Sequence, residues 1–401
     1  MASQRPINML VLASYFKGER FMRQAHARGA KLYLLPTEKL LKKPWPRECL
    51  VDVFAQREES PLQHTINTVS YLARTIQFDR IVPMDDFDVE TAAALREHLR
   101  IPGMGDTTAR HFRDKLACRV KAKEEGIPSP EFVRVLNYDE IREFIARVPP
   151  PWMFKPRSEA SATGIHKVES EEQLWQLIES KGDRQSYYLL EKYLPGDVYH
   201  CDSVVSEKKV VFTAVNRCGK PPFNVAHGGG IFTSATVERG SPDDLALRKL
   251  NEQVLSKLNL VRGVSHVEFI KGRDDGKFYL LETAARVGGA HIAEMVEGAT
   301  GVNLWAEWAN IEVDRNERPY QLPKVRDDYG GLLITLAKQQ KPDLSGYADP
   351  EVYYRAEEEF HAGLVVRSPS YRRVQELLET YQRRFMDDFH TVLPAADKPA
   401  H

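Results

Sequence analysis

Two apolar, strand-like runs on either side of residue 275 constrain this chain more than any other stretch. Val264–Ile270 and Phe278–Ala284 flank a segment rich in glycine and aspartate, Lys271–Lys277, so the whole reads as a β-hairpin. With the turn centred near Asp275, Glu268 faces Glu282 and His266 faces Ala284. Directly opposed residues have Cβ atoms roughly 4.5–5.5 Å apart, and like charges there are destabilising. At about 4 Å two unit charges repel by on the order of 4 kcal/mol at an effective dielectric of about 20. A hard cation between the carboxylates reverses that sign. Mg2+, or Mn2+ in its place, takes one or two carboxylates together with phosphate oxygens. The competing reading is a solvated surface pair. If the strand continues, period two places Glu282, Ala284 and Arg286 on one face, and a guanidinium there suits a phosphate-bearing ligand. Gly288 and Gly289, just before His291, let the backbone approach a ligand closely.

The chain is long enough, at 401 residues, for two to four domains. A hydrophobic share of 42% with 28% charged residues fits an ordinary globular protein. A formal net charge of -1 argues against a polyanion-binding surface, so nucleic acid is not an expected partner. No apolar stretch approaches the roughly 20 residues of a membrane span. The start, Met1–Pro6, lacks a secretory pattern, and a cytoplasmic location is expected. Cys49, Cys118, Cys201 and Cys218 are too widely spaced for a zinc or disulfide framework.

The first hundred residues alternate strand and helix, as in a doubly wound α/β domain with a parallel sheet. Expected strands are Ile7–Ala13, Lys31–Leu35 and Arg80–Pro83; expected helices are Glu19–Arg28, Thr65–Gln77 and Asp88–Arg100. No Gly-x-Gly-x-x-Gly follows the first strand. Asp85 and Asp86 either line a cleft or cap the next helix. A helix over Thr107–Glu125 leads into a small α+β unit ending near Glu191. Strands at Val198–Ser206, Lys209–Asn216 and Ile231–Val237 follow, then a helix at Asp243–Leu258 and the hairpin. From Tyr329 a separate β-rich piece closes with a helix, Ser370–His390, and the tail Ala395–His401 reads as frayed. The expected domains are 1–105, 106–191, 192–320 and 321–401.

Lys155 ends an apolar strand and opens a loop of small and hydroxyl residues running to Gly164. Backbone N–H groups of such a turn form an anion nest, and the lysine adds charge; an exposed loop is the alternative. It is not a P-loop. Lys115 on its helix is a weak signal alone. Glu191–Leu194 runs into Pro195-Gly196, where backbone groups suit an adenine edge with Tyr193 and Leu194 covering the ring; a plain connecting turn is the rival.

Taken in order, Asp114-Lys115, Gly126-Ile-Pro-x-Pro, Lys155-Pro with its small-residue loop, Glu191–Leu194, Val267-Glu268 and Glu282-x-x-x-Arg286 resemble the ATP-grasp superfamily. That superfamily includes biotin carboxylase, D-alanine:D-alanine ligase and L-amino-acid ligases. The resemblance runs from about Lys115 to Gly289. It implies an ATP-grasp fold of mixed α/β and α+β character, with an N-terminal doubly wound pre-ATP-grasp domain and a C-terminal lobe. It also implies ATP and Mg2+ as cofactors. Carried over, Lys115 and Lys155 contact phosphates, and the loop with Ser158, Ser161, Thr163 and Gly164 closes over them. Glu191, Lys192 and Leu194 hold adenine, and Asp197 or Asp202 takes the ribose. Glu268 and Glu282 bind metal, and Arg286 steadies an acyl phosphate and its oxyanion. The family commonly has Glu-x-Asn-x-Arg, whereas position 284 here is alanine; His266 is the expected partial substitute.

For the substrates, Arg217 is a candidate grip on a carboxylate, and His200, His227 and His291 are candidate proton acceptors. Asp202 shares a strand face with His200, and Gly229 belongs to a permissive loop, His227–Gly230. The leading expectation is a carboxylate–amine ligase joining amino-acid-like substrates through an acyl phosphate, releasing ADP and phosphate. A biotin-carboxylase-like enzyme and a nucleotide-binding regulator without catalysis are the alternatives. Partners are small-molecule carboxylates and amines, without nucleic acid or membrane, and a homodimer is compatible with the sequence.

Overall fold

In the N-terminal domain the chain alternates β1 (Asn8–Ala13), α1 (Glu19–Ala27), β2 (Lys31–Pro36), β3 (Leu50–Val53), α2 (Leu62–Leu72), β4 (Arg80–Pro83) and α3 (Asp86–Leu99). These and all later positions come from a computed structural model describing residues 5–58, 60–160, 163–314 and 320–392, apart from the side chains of 226 and 227. The strands lie parallel in the order β3-β2-β1-β4. Both faces are covered, which is why β1 reads as an almost unbroken apolar run: Met9 and Val11 enter one core, Leu10 and Leu12 the other. Asp85 caps α3 by accepting from the Phe87 N–H, so this helix starts two residues earlier than the expected Asp88. Helix α2 also starts and stops earlier than expected, and β3 was not anticipated.

The single helix expected over Thr107–Glu125 is two, α4 (Asp106–Arg110) and α5 (Lys115–Glu124). The break has a local cause. Asp114 is extended and accepts from the Leu116 and Ala117 N–H groups as the cap of α5, and its carboxylate also takes the Arg157 guanidinium. Lys115 thereby becomes the first residue of a helix and turns toward the following lobe.

That small lobe comprises β5 (Phe132–Arg134), α6 (Tyr138–Arg147), β6 (Trp152–Pro156), β7 (His166–Val168), α7 (Glu171–Lys181) and β8 (Tyr188–Lys192), its strands ordered β5-β8-β6-β7. Asn137 and Ser170 cap its two helices. The large lobe follows: β9 (Gly196–Ser206), β10 (Lys209–Cys218), α8 (Pro222–Gly228), β11 (Phe232–Thr236), α9 (Pro242–Lys257), β12 (Gly263–Gly272), β13 (Phe278–Ala284), α10 (Ile292–Thr300) and α11 (Leu304–Val313). Helix α8 contains His227, where a loop was expected; α10 and α11 were not anticipated either.

The last elements are β14 (Tyr329–Leu336), β15 (Val352–Arg355), β16 (His361–Ser368) and α12 (Tyr371–Asp388). They form no separate sheet. β14 pairs antiparallel with β11, and one eight-stranded sheet runs β13-β12-β9-β10-β11-β14-β16-β15. This joining of strands roughly a hundred residues apart corrects the expected independent C-terminal piece; the tail at 395–401 lies outside the described residues. Among the described residues no helix is long and apolar enough to cross a membrane.

Candidate active site

The hairpin forms with the anticipated register at its upper end. Glu268 and Glu282 are partners across β12 and β13, and so are His266 and Ala284. Asp275 tightens the turn by accepting from Lys277 N–H and the Tyr279 hydroxyl, and Gly276 supplies the positive φ of 65°. Below Glu268 the register slips: Phe269 pairs with Leu280, leaving Leu281 as a bulge. Leu281 and Glu282 consequently both line one cavity of about 410 Å3. Strict alternation would have turned one of them away.

The cavity lies between the lobes and falls in the size range of small-molecule sites. Lys115, Lys155, Lys192, Glu268, Glu282 and Arg286 all line it, with Ala284 beside them. Leu194, Tyr193, Met153, Ile165, Ile270 and Leu281 supply apolar wall. Phe223, Asn224 and Val225 of α8 complete it, a contribution the sequence reading missed because the short Pro-initiated helix has no heptad signal.

Lys115, Lys155, Glu268, Glu282 and Arg286 each already have a partner. Lys115 Nζ donates to Glu282 Oε1 at 3.0 Å and to the Glu159 carbonyl at 2.6 Å. Glu268 contacts His266 Nε2 at 3.4 Å. The two facing acids are thus separately neutralised, one by an ammonium and one by an imidazole. Burial alone would lower the His266 imidazole, but Asp202 and Glu268 outweigh it and raise it to about 9. Its Nδ1 faces Asp202 at 2.9 Å and its Nε2 faces Glu268 at 3.4 Å, so both ring nitrogens are engaged beside Ala284. Arg286 donates to Asp86 Oδ2 at 2.7 Å; burial opposes the charge of Asp86, yet Arg286 and Arg113 hold that carboxyl below its usual range. The sequence reading had not linked Asp86 to Arg286, whose contact spans the junction of the N-terminal domain and the large lobe.

Glu191 also lines the cavity, and its side chain is engaged within the protein. Its buried carboxylate takes Lys155 Nζ at 2.6 Å on one oxygen and Arg119 Nε at 2.6 Å on the other. Burial pushes this acid up, but the two cations prevail and lower it. Arg119, itself 0% exposed, also donates to the Leu281 carbonyl at 2.7 Å, tying α5 to the bulge. Nothing in the sequence marked Arg119, because an arginine on a helix ordinarily reads as solvated.

Several candidates lie elsewhere. Arg217 is 52% exposed and pairs with Asp197 at 2.7 Å. It neighbours Tyr199 and Lys271 on the sheet face opposite Glu268, since odd-numbered residues of β9 and β10 point away from the cavity. Arg217 cannot grip a ligand in this cavity, and Asp197 is not part of its lining. His200 and Asp202 lie on the site's side of the sheet but beneath its surface, 1% and 0% exposed. His200 Nδ1 meets Asp202 Oδ2 and its Nε2 meets Ser234 Oγ, each at 2.7 Å, so both ring nitrogens are engaged inside the protein, and Asp202 is sealed from the cavity. His291 lies outside the lining, with Glu294 at 3.7 Å and Glu358 at 3.4 Å. Gly229 follows α8 and packs toward Val392. Ser158, Thr163 and Gly164 belong to the β6–β7 loop, which reaches the cavity through Ala160 and Ile165. Ser161 and the His227 side chain lie outside the described residues.

Two opposed carboxylates form the oxygen-rich donor set a hard divalent cation takes, and Lys115, Lys155 and Arg286 around them suit phosphate oxygens. The residues present therefore fit a metal–nucleotide complex. Among known proteins, residues 112–290 match the ATP-grasp domain family. The L-arginine-specific L-amino acid ligase of Bacillus subtilis is 26% identical over 246 residues, 60% of this chain and 59% of that protein. A D-alanine–D-alanine ligase of Thermoanaerobacter pseudethanolicus is 26% identical over 204 residues, 48% of this chain and 56% of the relative. The chain thus spans a little over half the length of these curated relatives. The crystal structure of an L-amino acid ligase from Bacillus licheniformis superposes with a TM-score of 0.77 at 16% identity, covering 97% of this chain and 99% of that one. At that identity the likeness shows the fold.

Proposed function

We propose that this chain, whose residues 112–290 match the ATP-grasp domain family and whose fold matches that of an L-amino acid ligase, is an ATP- and Mg2+-dependent carboxylate–amine ligase acting on amino-acid-like substrates. One observation carries the reading. Two glutamates face each other at one register position, inside a cavity that also gathers Lys115, Lys155 and Arg286. A like-charged pair in a cleft costs free energy unless cations complete it; Lys115 and His266 hold that place in this structure, and a divalent ion arriving with nucleotide would take it over from Lys115. The activities named for the relatives belong to this class.

Bound between the acids, Mg2+ would supply charge neutralisation for the phosphates. Glu268 and Glu282 would hold it, and Lys115, released from Glu282, would turn its ammonium to a phosphate oxygen. Lys155, still held by Glu191, would offer its ammonium from the other wall. Glu191, with both oxygens engaged by Lys155 and Arg119, aims that lysine rather than touching adenine through its side chain. The apolar slot of Met153, Ile165, Leu194 and Leu281 takes the base, beside Lys192. Arg286, braced by Asp86, holds the substrate carboxylate as it attacks the γ-phosphate with ADP leaving, and stabilises the oxyanion that develops when the amine adds to the acyl phosphate and phosphate departs. Small residues following it, Gly289 and Ala290, leave room for the acyl group.

ADP release measured with pairs of amino acids and Mg2+, with mass detection of products, tests this directly. Glu282→Gln and Arg286→Ala should each lower turnover by roughly 10²–10³-fold, the cost of losing one preorganised charge-stabilising group. Wild-type rates in both variants would overturn the assignment. Bicarbonate dependence without amine consumption would move the protein to carboxylase chemistry. ATP binding without any ADP production would leave a regulator.

A further inference from the structure

Glu268 and Glu282 face one another but are held in different ways. Glu282 is reached by Lys115 from another element. Among the described residues, the side chain of Glu268 has a single hydrogen-bonding partner, His266 Nε2 at 3.4 Å, two positions back on the same strand. Directly across the hairpin from His266 stands Ala284, which offers no polar atom.

His266 does not stand alone. Its Nδ1 is 2.9 Å from Asp202 Oδ1. The other oxygen of Asp202 meets His200 Nδ1 at 2.7 Å and accepts from Asn216 Nδ2 at 3.1 Å. His200 Nε2 meets Ser234 Oγ at 2.7 Å. The chain of contacts crosses the strands β12, β9, β10 and β11 beneath the cavity floor. Its members are buried: His266 9%, Asp202 0%, His200 1%, Asn216 1% and Ser234 1% exposed. Every ring nitrogen in it is engaged, so neither imidazole rotates without breaking a bond. The backbone closes over the same point. A Cβ on Gly288 would lie 3.0 Å from both Asp202 Oδ1 and His266 Nδ1, closer than a side chain normally sits.

We propose that the buried chain Ser234–His200–Asp202–His266 is a positioning device for Glu268, fixing the carboxylate at the angle at which it ligates metal. The inference rests on the metal–nucleotide reading above. A fully satisfied polar chain adds little stability over apolar residues of the same volume. It does impose a single orientation on the group at its end, as outer hydrogen bonds do for metal ligands. Glu282 needs no such chain, because α5 delivers Lys115 to it. The same His200, Asp202 and His266 atoms lie within 4.8 Å of one another, but separations of 2.7 and 2.9 Å mark hydrogen bonds, not ligands awaiting a central ion.

Titration of the full-length protein with Mn2+ in the presence of ADP, followed by the Mn2+ electron paramagnetic resonance signal, tests the proposal. ADP affinity without metal is measured alongside. His266→Gln and Asp202→Asn should weaken Mn2+ binding to the ADP complex roughly 10–100-fold and leave metal-free ADP binding unchanged. Ser234→Ala, at the far end, should show a smaller loss of the same kind. Wild-type Mn2+ affinity in folded His266→Gln would overturn the proposal, and so would equal losses with and without metal. Should Asp202→Asn not fold, the other two variants decide. A transition metal that copurifies with the wild type and is lost in His200→Gln would also overturn it, by making the cluster a site of its own. If the wild type itself binds no Mn2+ with ADP, the nucleotide reading fails and takes this one with it; loss confined to the variants separates the two.

Discussion

Two arginine–carboxylate pairs stand close together in sequence at the junction of the lobes, and they differ in almost everything but chemistry. Glu191 meets Arg119 at 2.6 Å with the two side chains 1% and 0% exposed. Asp197 meets Arg217 at 2.7 Å with the two 50% and 52% exposed. Distance does not separate them. Burial does. In water an ion pair exchanges one set of favourable contacts for another, whereas in the interior each charge depends on its partner because no solvent can replace it. The buried pair also carries Lys155 into the cavity, while the exposed pair lies on the opposite face of the sheet.

Removing one partner from each pair should break the comparison most sharply. Arg119→Met leaves Glu191 with Lys155 alone, and an unfolding midpoint in urea should show a loss of about 3–5 kcal/mol. The same variant should soften the acid limb of the stability curve. The folded-state pKa of Glu191 is depressed, so its contribution is present above the ordinary glutamate range and disappears as pH falls through the lowered value. A wild-type pH profile in Arg119→Met would show the pair to be energetically idle.

Asp88 sharpens the contrast as a buried acid with no cation bonded to it among the described residues. It accepts from Ser14 Oγ at 2.6 Å and Ser14 N–H at 3.1 Å. Burial, opposed by these hydrogen bonds and reinforced by Asp85, pushes it up to about 7. The sign is opposite to that of Glu191. A raised folded pKa means the stabilising contribution is full below about 3.9, the unfolded value, and is lost as pH rises toward and through about 7. Asp88→Asn, which keeps an acceptor and the shape, should therefore gain stability over the wild type at pH 8 by about 1–3 kcal/mol, and much less at pH 5. Equal differences at both pH values would show that Asp88 ionises as freely as in the unfolded chain. The smallest effect belongs to Arg217→Ala. Stability should change by no more than about 0.5 kcal/mol and turnover should be unaffected. A marked rise in KM for one substrate would return Arg217 to the site and make the sheet-face assignment wrong.

The legible part of this protein was local. The hairpin register followed from a short turn and the two-residue period of strands, so Glu268, Glu282, His266 and Ala284 were paired from the sequence. Most of the alternating N-terminal segments likewise follow from neighbouring residues, while the choice between cap and cleft for Asp85 and Asp86 stayed open until the structure made Asp85 the cap. The bulge at Leu281 was not visible, since no residue type there forces it. Asp114 was read with Lys115 as a motif but not as the residue that splits a helix, which depends on an arginine from the next lobe.

Side-chain period assigns residues to alternate faces; it does not say which face meets the cavity, because that depends on which strands pair and what packs above them. Arg217, His200 and His291 were therefore chosen by residue type and placed by tertiary structure: one on the far face, one sealed in the sheet, one against the C-terminal strands. The charges that neutralise the site come from distant segments, Arg119 to Glu191, Lys115 to Glu282 and Asp86 to Arg286. Short-range sterics and turn chemistry determine a pair across one hairpin. Long-range packing decides which charges lose their water, and only then does a carboxylate need a particular partner.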